Sequence, residues 1–97
     1  MMYRQGDVLI KKIAKIPSGL SKRENRVLVE GEATGHCHKA TAGDVYDGEN
    51  GELFLQTITP TIIEHEEHDP IELPTGDYEI IRQREYTKDK MIRLVVD

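Results

Sequence analysis

The chain is predicted to be a small all-β domain, and three features of its sequence carry that prediction. Short apolar runs rich in β-branched residues alternate with glycine, proline and asparagine, which is typical of antiparallel strands joined by turns. Apolar residues do not recur over three turns with the period of about 3.6 that indicates a helix. A chain of 97 residues has room for one core only, so residues 1–97 are expected to form a single antiparallel β-barrel or sandwich.

The strands are predicted from the apolar runs in chain order. Predicted strands cover residues 8–13, 26–30, 32–40, 45–46, 53–58, 61–65, 71–73, 78–86 and 91–96. A turn at Gly6-Asp7 precedes the first of them, and the dipeptide Asn50-Gly51 favours a hairpin turn because both residues tolerate positive φ. Residues 21–25 are predicted to be a charged connector, with at most a short helix near residues 18–25. Between six and nine strands are therefore expected.

Composition and charge exclude some classes of function. The net charge of −5 argues against a general nucleic-acid or anionic-membrane surface, although a local basic patch stays open. The single cysteine cannot form an internal disulfide. No apolar signal segment or run of membrane-spanning length occurs, so a soluble cytoplasmic protein is expected. A core this small leaves a thin stability margin, which a metal or assembly into a homo-oligomer would increase.

All four histidines lie in two short motifs, Gly35-His36-Cys37-His38 and His65-Glu66-Glu67-His68. On a strand, His36 and His38 would share a face with their Cα atoms roughly 6.5–7 Å apart, close enough to bind one ion at about 2.1 Å. Cys37 would point the other way and pack into the core. His65 would follow from the strand over residues 61–65. His68 would join it from a turn, since Asp69-Pro70 ends the strand.

The predicted metal site therefore contains His36, His38, His65 and His68. Nearby carboxylates could bind the ion, accept a hydrogen bond from an imidazole or act as a general base, namely Glu32, Glu66, Glu67 and Asp69. A divalent transition metal is expected. Zinc is the first expectation, and iron, nickel or manganese are alternatives for imidazole and carboxylate ligands.

A second candidate site lies on the predicted strand over residues 78–86. Alternation places Arg82 and Arg84 on the same face, where two guanidinium groups could bind a phosphate or carboxylate. The alternative is a solvent-facing strand whose arginines pair with glutamates on neighbouring strands. The sequence favours the second interpretation, because exposed strand faces commonly carry such charge pairs.

Most of the chain resembles a family of small uncharacterised all-β proteins from bacteria and phages. The resemblance rests on Gln5-Gly6-Asp7-Val8-Leu9, Gly31-Glu32-Ala33-Thr34-Gly35-His36-Cys37-His38, His65-Glu66-Glu67-His68 and Arg82-Gln83-Arg84-Glu85-Tyr86. It implies no particular activity.

The H-x-H motif is also similar to the first motif of the cupins, and Pro74-Thr75-Gly76 matches their P-x-G. The chain departs from that family because no glutamate follows His38 within the usual span and no histidine follows Gly76. The similarity therefore implies a β architecture only.

Three classes of function remain open. The first is a metal-binding β domain whose ion has a structural, sensory or catalytic role. The second is a small metal-dependent hydrolase or oxygenase. The third is a metal-free interaction or regulatory module of phage or mobile-element origin. Whether the protein is an enzyme is left open, since no nucleophile motif, phosphate-binding loop or dinucleotide fingerprint occurs in the sequence.

Overall fold

The protein is an all-β structure, as predicted. The computed structural model describes residues 2–30 and 35–82, and no helix occurs within them. The strands are β1 Met2–Gln5, β2 Val8–Ile13, β3 Ser21–Lys22, β4 Val27–Glu30, β5 Cys37–Ala40, β6 Asp44–Asp47, β7 Leu53–Thr57, β8 Thr61–Glu64, β9 Ile71–Leu73 and β10 Gly76–Arg82. None of the described residues therefore forms a helix that could span a membrane.

The strands form two antiparallel sheets. One has six strands in the order β1-β2-β10-β7-β6-β3, and the other has four in the order β4-β5-β8-β9. Neither sheet closes on itself within the described residues. The arrangement therefore fits the predicted sandwich rather than the predicted barrel.

The core lies between the two sheets. Val8, Ile10 and Tyr78 of the six-stranded sheet are fully buried, and they share one apolar cluster with Ile63 and Leu73 of the four-stranded sheet. Full burial of an aliphatic side chain of this size contributes about 1.5–3 kcal/mol. Buried and exposed residues alternate strictly along β8, and in β2 the buried Val8 and Ile10 flank the half-buried Leu9.

Arg23 joins the two sheets outside this core. Its guanidinium donates to both carboxylate oxygens of Asp47 in β6, at 2.7 and 2.8 Å, and to the carbonyl of Val27 in β4, at 2.8 Å. The hydrogen bonds from Arg23 hold the pKa of the Asp47 carboxyl below its usual value. One side chain therefore contacts a strand of each sheet.

The ten strands of the described residues exceed the expected maximum of nine. β1 was not predicted because Met2–Gln5 carries no β-branched residue, yet its pairing with β2 holds it at the sheet edge. Residues 21–22 pair with β6 in place of the helical turn considered for this connector.

Turns occur at Gly6-Asp7 and at Asn50, as expected. The predicted strand at 91–96 and the end of the predicted strand at 78–86 lie outside the described residues.

Candidate metal centre

The pairing of β5 with β8 brings the two histidine motifs together. Lys39 pairs with Glu64 and Ala40 with Ile63, in antiparallel register. Continuing that register by one residue beyond β8 places His65 opposite His38. Both motifs therefore lie at the same end of the same strand pair.

The four imidazole rings form one cluster, called the histidine cluster below. His65 lies at its centre, with ring centroids 5.6 Å from His36, 4.3 Å from His38 and 4.6 Å from His68. The rings of His38 and His68 are nearly parallel, with centroids 6.1 Å apart. The structure thus gathers all four predicted ligands, which the sequence alone left as two separate pairs.

The first motif differs from its predicted geometry in two respects. His36 precedes β5, so the strand does not align it with His38. Cys37 is only half-buried, and the prediction that it packs into the core is wrong. The physical reason is that alternation along β5 turns His38 and Ala40 toward the core, which leaves Cys37 on the opposite face.

His38 is the buried member of the cluster, with 4 % of its surface exposed. Burial lowers its pKa to about 4, and the charge of His65 acts in the same direction. The imidazole is therefore neutral at neutral pH. A neutral imidazole is the form that binds a metal ion.

Two histidines of the cluster and one neighbouring carboxylate approach the spacing of metal ligands. One ligand atom each of His36, His65 and Glu66 lie within 4.8 Å of one another. Two ligands bonded at about 2.1 Å to a tetrahedral ion are roughly 3.4 Å apart. The atoms of this group would therefore have to approach one another by at most about 1.4 Å to surround zinc.

Glu66 is held toward this group by the backbone of the first motif. Its Oε1 accepts a hydrogen bond from Cys37 N at 2.9 Å. That bond is the main reason why the pKa of the Glu66 carboxyl is lowered. The side chain is therefore an ionised carboxylate beside two imidazoles.

Two of the other predicted carboxylates have different places. Glu67 Oε1 lies 3.2 Å from Nδ1 of His36, where it can accept a hydrogen bond from an Nδ1–H group. The lone pair of the His36 ring is then on Nε2. Asp69 contributes its backbone carbonyl, which accepts from the side chain of Gln5 at 2.9 Å. Glu32 lies outside the described residues.

His65 carries an additional set of hydrogen bonds. Its Nδ1 accepts from the backbone N–H of Glu67 at 2.9 Å and of His68 at 3.3 Å. These bonds close the turn that contains the second motif. They also show that Nδ1 holds the lone pair of the neutral ring.

The hairpin turn between β1 and β2 contributes residues that the motif analysis did not assign to the site. Gln5 Oε1 lies 2.8 Å from His38 Nδ1, and Asp7 Oδ1 lies 3.8 Å from His38 Nε2. Gly6 has a φ of +60°, and the ring of His68 lies directly over it. The sequence predicts the turn at Gly6-Asp7 but gives no signal that the turn packs against the histidines.

The predicted arginine site lies at the end of β10, where Arg82 pairs with Val8 of β2. Tyr78 and Ile80 are buried, so this face of β10 is not the solvent-facing one that the charge-pair interpretation requires. Arg82 lines a cavity of about 490 Å³ together with Arg23, Asp47, Glu52 and Glu79. An anion site that includes Arg82 stays a prediction, and Arg84 lies outside the described residues.

The comparisons with known proteins bear on the family and not on the activity. No curated protein and no solved structure matches the chain significantly. The model of one family, described as a domain of unknown function, matches residues 4–83, a span that contains both histidine motifs and the turn at Gly6. The chain therefore belongs to the DUF8820 family.

Proposed function

We propose that this protein binds a divalent transition metal ion in the histidine cluster, with zinc as the first expectation. The observation that carries the proposal is the central position of His65. Its ring contacts each of the other three histidines, and its ligand atom groups with those of His36 and Glu66. Imidazole nitrogen with a carboxylate oxygen also suits iron, nickel and manganese, which remain alternatives.

The burial of His38 supports the same proposal. The neutral imidazole of His38 offers a nitrogen lone pair beside three other imidazoles at the end of the four-stranded sheet, where a cation would be stabilised. A metal ion that binds only the folded protein raises the free energy of unfolding by about 2.7 kcal/mol at a hundredfold excess over Kd. That gain is large for a domain whose total stability is expected to be roughly 5–15 kcal/mol.

A catalytic role requires that the ion keep a position for water or substrate. Glu66, Glu67 and His68 form the exposed side of the cluster, and such a ligand would enter from this side. The hydrolase or oxygenase alternative therefore depends on the number of protein ligands around the ion. The metal-free interaction module is the alternative in which the cluster binds no ion.

Calorimetric titration of metal-free protein, purified without a histidine tag, tests the proposal. Zinc, nickel, manganese and anaerobic ferrous iron are titrated separately, and about one ion per chain is expected to bind. His65→Ala should weaken binding more than His36→Ala, because His65 lies between the other rings.

A matched pair of carboxylate variants tests the oxygen ligand. Glu66→Gln keeps an oxygen that can accept from Cys37 N but removes the charge, and it should weaken metal binding. Glu72→Gln makes the same change at an exposed position of β9 and should bind as the native protein does. Identical titrations for the native protein and the His36→Ala/His38→Ala double variant would leave the metal-free module as the function.

A further inference from the structure

Gln5 is a buried polar side chain whose role the proposed function does not yet explain. Only 2 % of its surface is exposed, although it lies at the end of the edge strand β1. Its Nε2 donates to the carbonyl of Ile63 at 2.9 Å and to the carbonyl of Asp69 at 2.9 Å. These two carbonyls flank the second histidine motif on either side.

The two carbonyls fix the orientation of the Gln5 amide. A carbonyl oxygen can only accept, so the NH2 group must face Ile63 and Asp69. The amide oxygen then faces His38 Nδ1, at 2.8 Å. Because an amide oxygen also only accepts, His38 Nδ1 must carry the proton of this hydrogen bond.

This hydrogen bond determines which nitrogen of His38 is able to bind an ion. In the neutral ring with a proton on Nδ1, the lone pair is on Nε2. Nε2 faces Asp7 Oδ1 at 3.8 Å, and neither a neutral Nε2 nor an ionised carboxylate has a proton to share. Their separation is close to the roughly 3.4 Å expected between two ligands of one tetrahedral ion.

We propose that Gln5 is a positioning residue, which holds His38 as the Nδ1–H tautomer so that Nε2, on the side of Asp7, binds the metal ion. This inference rests on the proposed function for its metal-binding part. The hold of Gln5 on the tautomer does not depend on a metal and is tested separately. A partner that accepts from the second imidazole nitrogen also orients the ring and raises the basicity of the ligand atom.

The tautomer is measured first, in the metal-free protein at neutral pH. Long-range proton–nitrogen correlation spectra of ¹⁵N-labelled protein distinguish a protonated from an unprotonated ring nitrogen. His38 is expected to show a protonated Nδ1 and an unprotonated Nε2. A proton on Nε2 would overturn the inference.

Zinc titration of three variants then tests the positioning role. Gln5→Met has a similar volume but no hydrogen-bonding atoms, and it should bind zinc about 10–100-fold more weakly. Gln5→Glu keeps an oxygen that faces His38 and loses both N–H donors, so that only a protonated carboxyl would retain a donor, its single O–H. It should therefore be less stable while keeping the tautomer and binding zinc more tightly than Gln5→Met. Gln56→Met is the matched control, since its native partner is Asp77 rather than a histidine.

The outcomes separate the inference from the proposed function. A loss of zinc affinity in Gln5→Met no greater than in Gln56→Met would overturn the positioning role. If Gln5→Met does not fold, Gln5→Glu decides: native-like zinc affinity supports the role, and a loss as large as that of His38→Ala overturns it. If the native protein binds no metal, the proposed function and the ligand role of Nε2 both fall. The NMR spectra of the metal-free protein would still test whether Gln5 holds His38 as the Nδ1–H tautomer.

Discussion

Replacing Gly6 by alanine is expected to displace His68 and weaken metal binding. A Cβ atom at residue 6 would lie 2.5 Å from Nε2 and 2.8 Å from Cδ2 of the His68 ring. Ordinary contacts between such atoms are about 3.5–4.0 Å, so the ring must move by roughly 1 Å. Ligand geometry usually has to be held within about 0.5 Å, so a shift of this size removes His68 from a metal site. We expect zinc affinity to fall at least tenfold, which corresponds to about 1.4 kcal/mol.

Gly19→Ala is the matched control for the backbone. Gly6 and Gly19 have φ values of +60° and +81°, and a Cβ atom at Gly19 would meet nothing within 4 Å. Both variants should lose about 1–2 kcal/mol of stability, because alanine is disfavoured in the left-handed region. Only Gly6→Ala changes the surroundings of a histidine.

Urea unfolding and zinc titration of both variants measure the two effects separately. Equal zinc affinity for Gly6→Ala and the native protein would show that His68 is not a ligand. An equal loss of affinity in both variants would show that the effect comes from the stability of the fold. Either result would refute the reasoning from the contact between Gly6 and His68.

Three further predictions concern pH, the link between the sheets and the arginine cavity. His38 titrates at about 4 in the folded protein against 6.5 without perturbation, so the unfolded chain binds more protons between these values. The free energy of unfolding of the metal-free protein should therefore fall by about 3 kcal/mol as the pH drops from 7 to 4. Urea unfolding across this range should show a smaller decrease for His38→Gln. Asp47→Asn should lower the free energy of unfolding by about 1 kcal/mol after screening by solvent, as thermal or urea unfolding would show, because the ion pair with Arg23 is half-exposed. A loss of several kcal/mol would contradict that value. Inorganic phosphate should not bind at Arg82, because carboxylates line the same cavity. Saturable binding in a phosphorus NMR titration that Arg82→Gln abolishes would establish the anion site instead.

The strands that bury one face were predictable from the sequence. The predicted strands at 8–13, 53–58 and 61–65 correspond to β2 Val8–Ile13, β7 Leu53–Thr57 and β8 Thr61–Glu64. Their apolar residues alternate or cluster within a few positions, because the side chains that pack against the other sheet are apolar. The apolar pattern of the sequence therefore predicts a strand correctly where that strand packs against the core.

The edge strands and the surroundings of the histidines were not predictable in this way. β1 owes its conformation to pairing with β2, since Tyr3 is its only residue with a strong strand preference. Gln5 contacts residues 33, 58 and 64 positions away in the chain. Contacts of that separation follow from how the two sheets pack, and a single sequence carries no local signal for them.

The arrangement of the two histidine motifs was predictable from the sequence only in part. The sequence places all four histidines in two short segments. The two segments meet because β5 pairs with β8 in a particular register, and this register could not be predicted from the sequence. The expectation that His36 and His38 share a strand face assumed that the strand includes both. β5 begins at Cys37, after the left-handed Gly35 at φ +75°, so His36 lies just outside the strand that carries His38.

The turn of the second motif has a consequence for the energetics of binding. His65 Nδ1 accepts the amide protons of Glu67 and His68, so an ion on Nε2 would require a proton on Nδ1 and the loss of both hydrogen bonds. The closed turn and an ion on Nε2 of His65 therefore exclude each other. If the ion binds Nε2 of His65, the apparent affinity is the intrinsic affinity multiplied by the fraction of molecules whose turn is open. Amide hydrogen exchange at Glu67 and His68 would then accelerate with metal occupancy, and the chain's own backbone would compete with the ion for one imidazole.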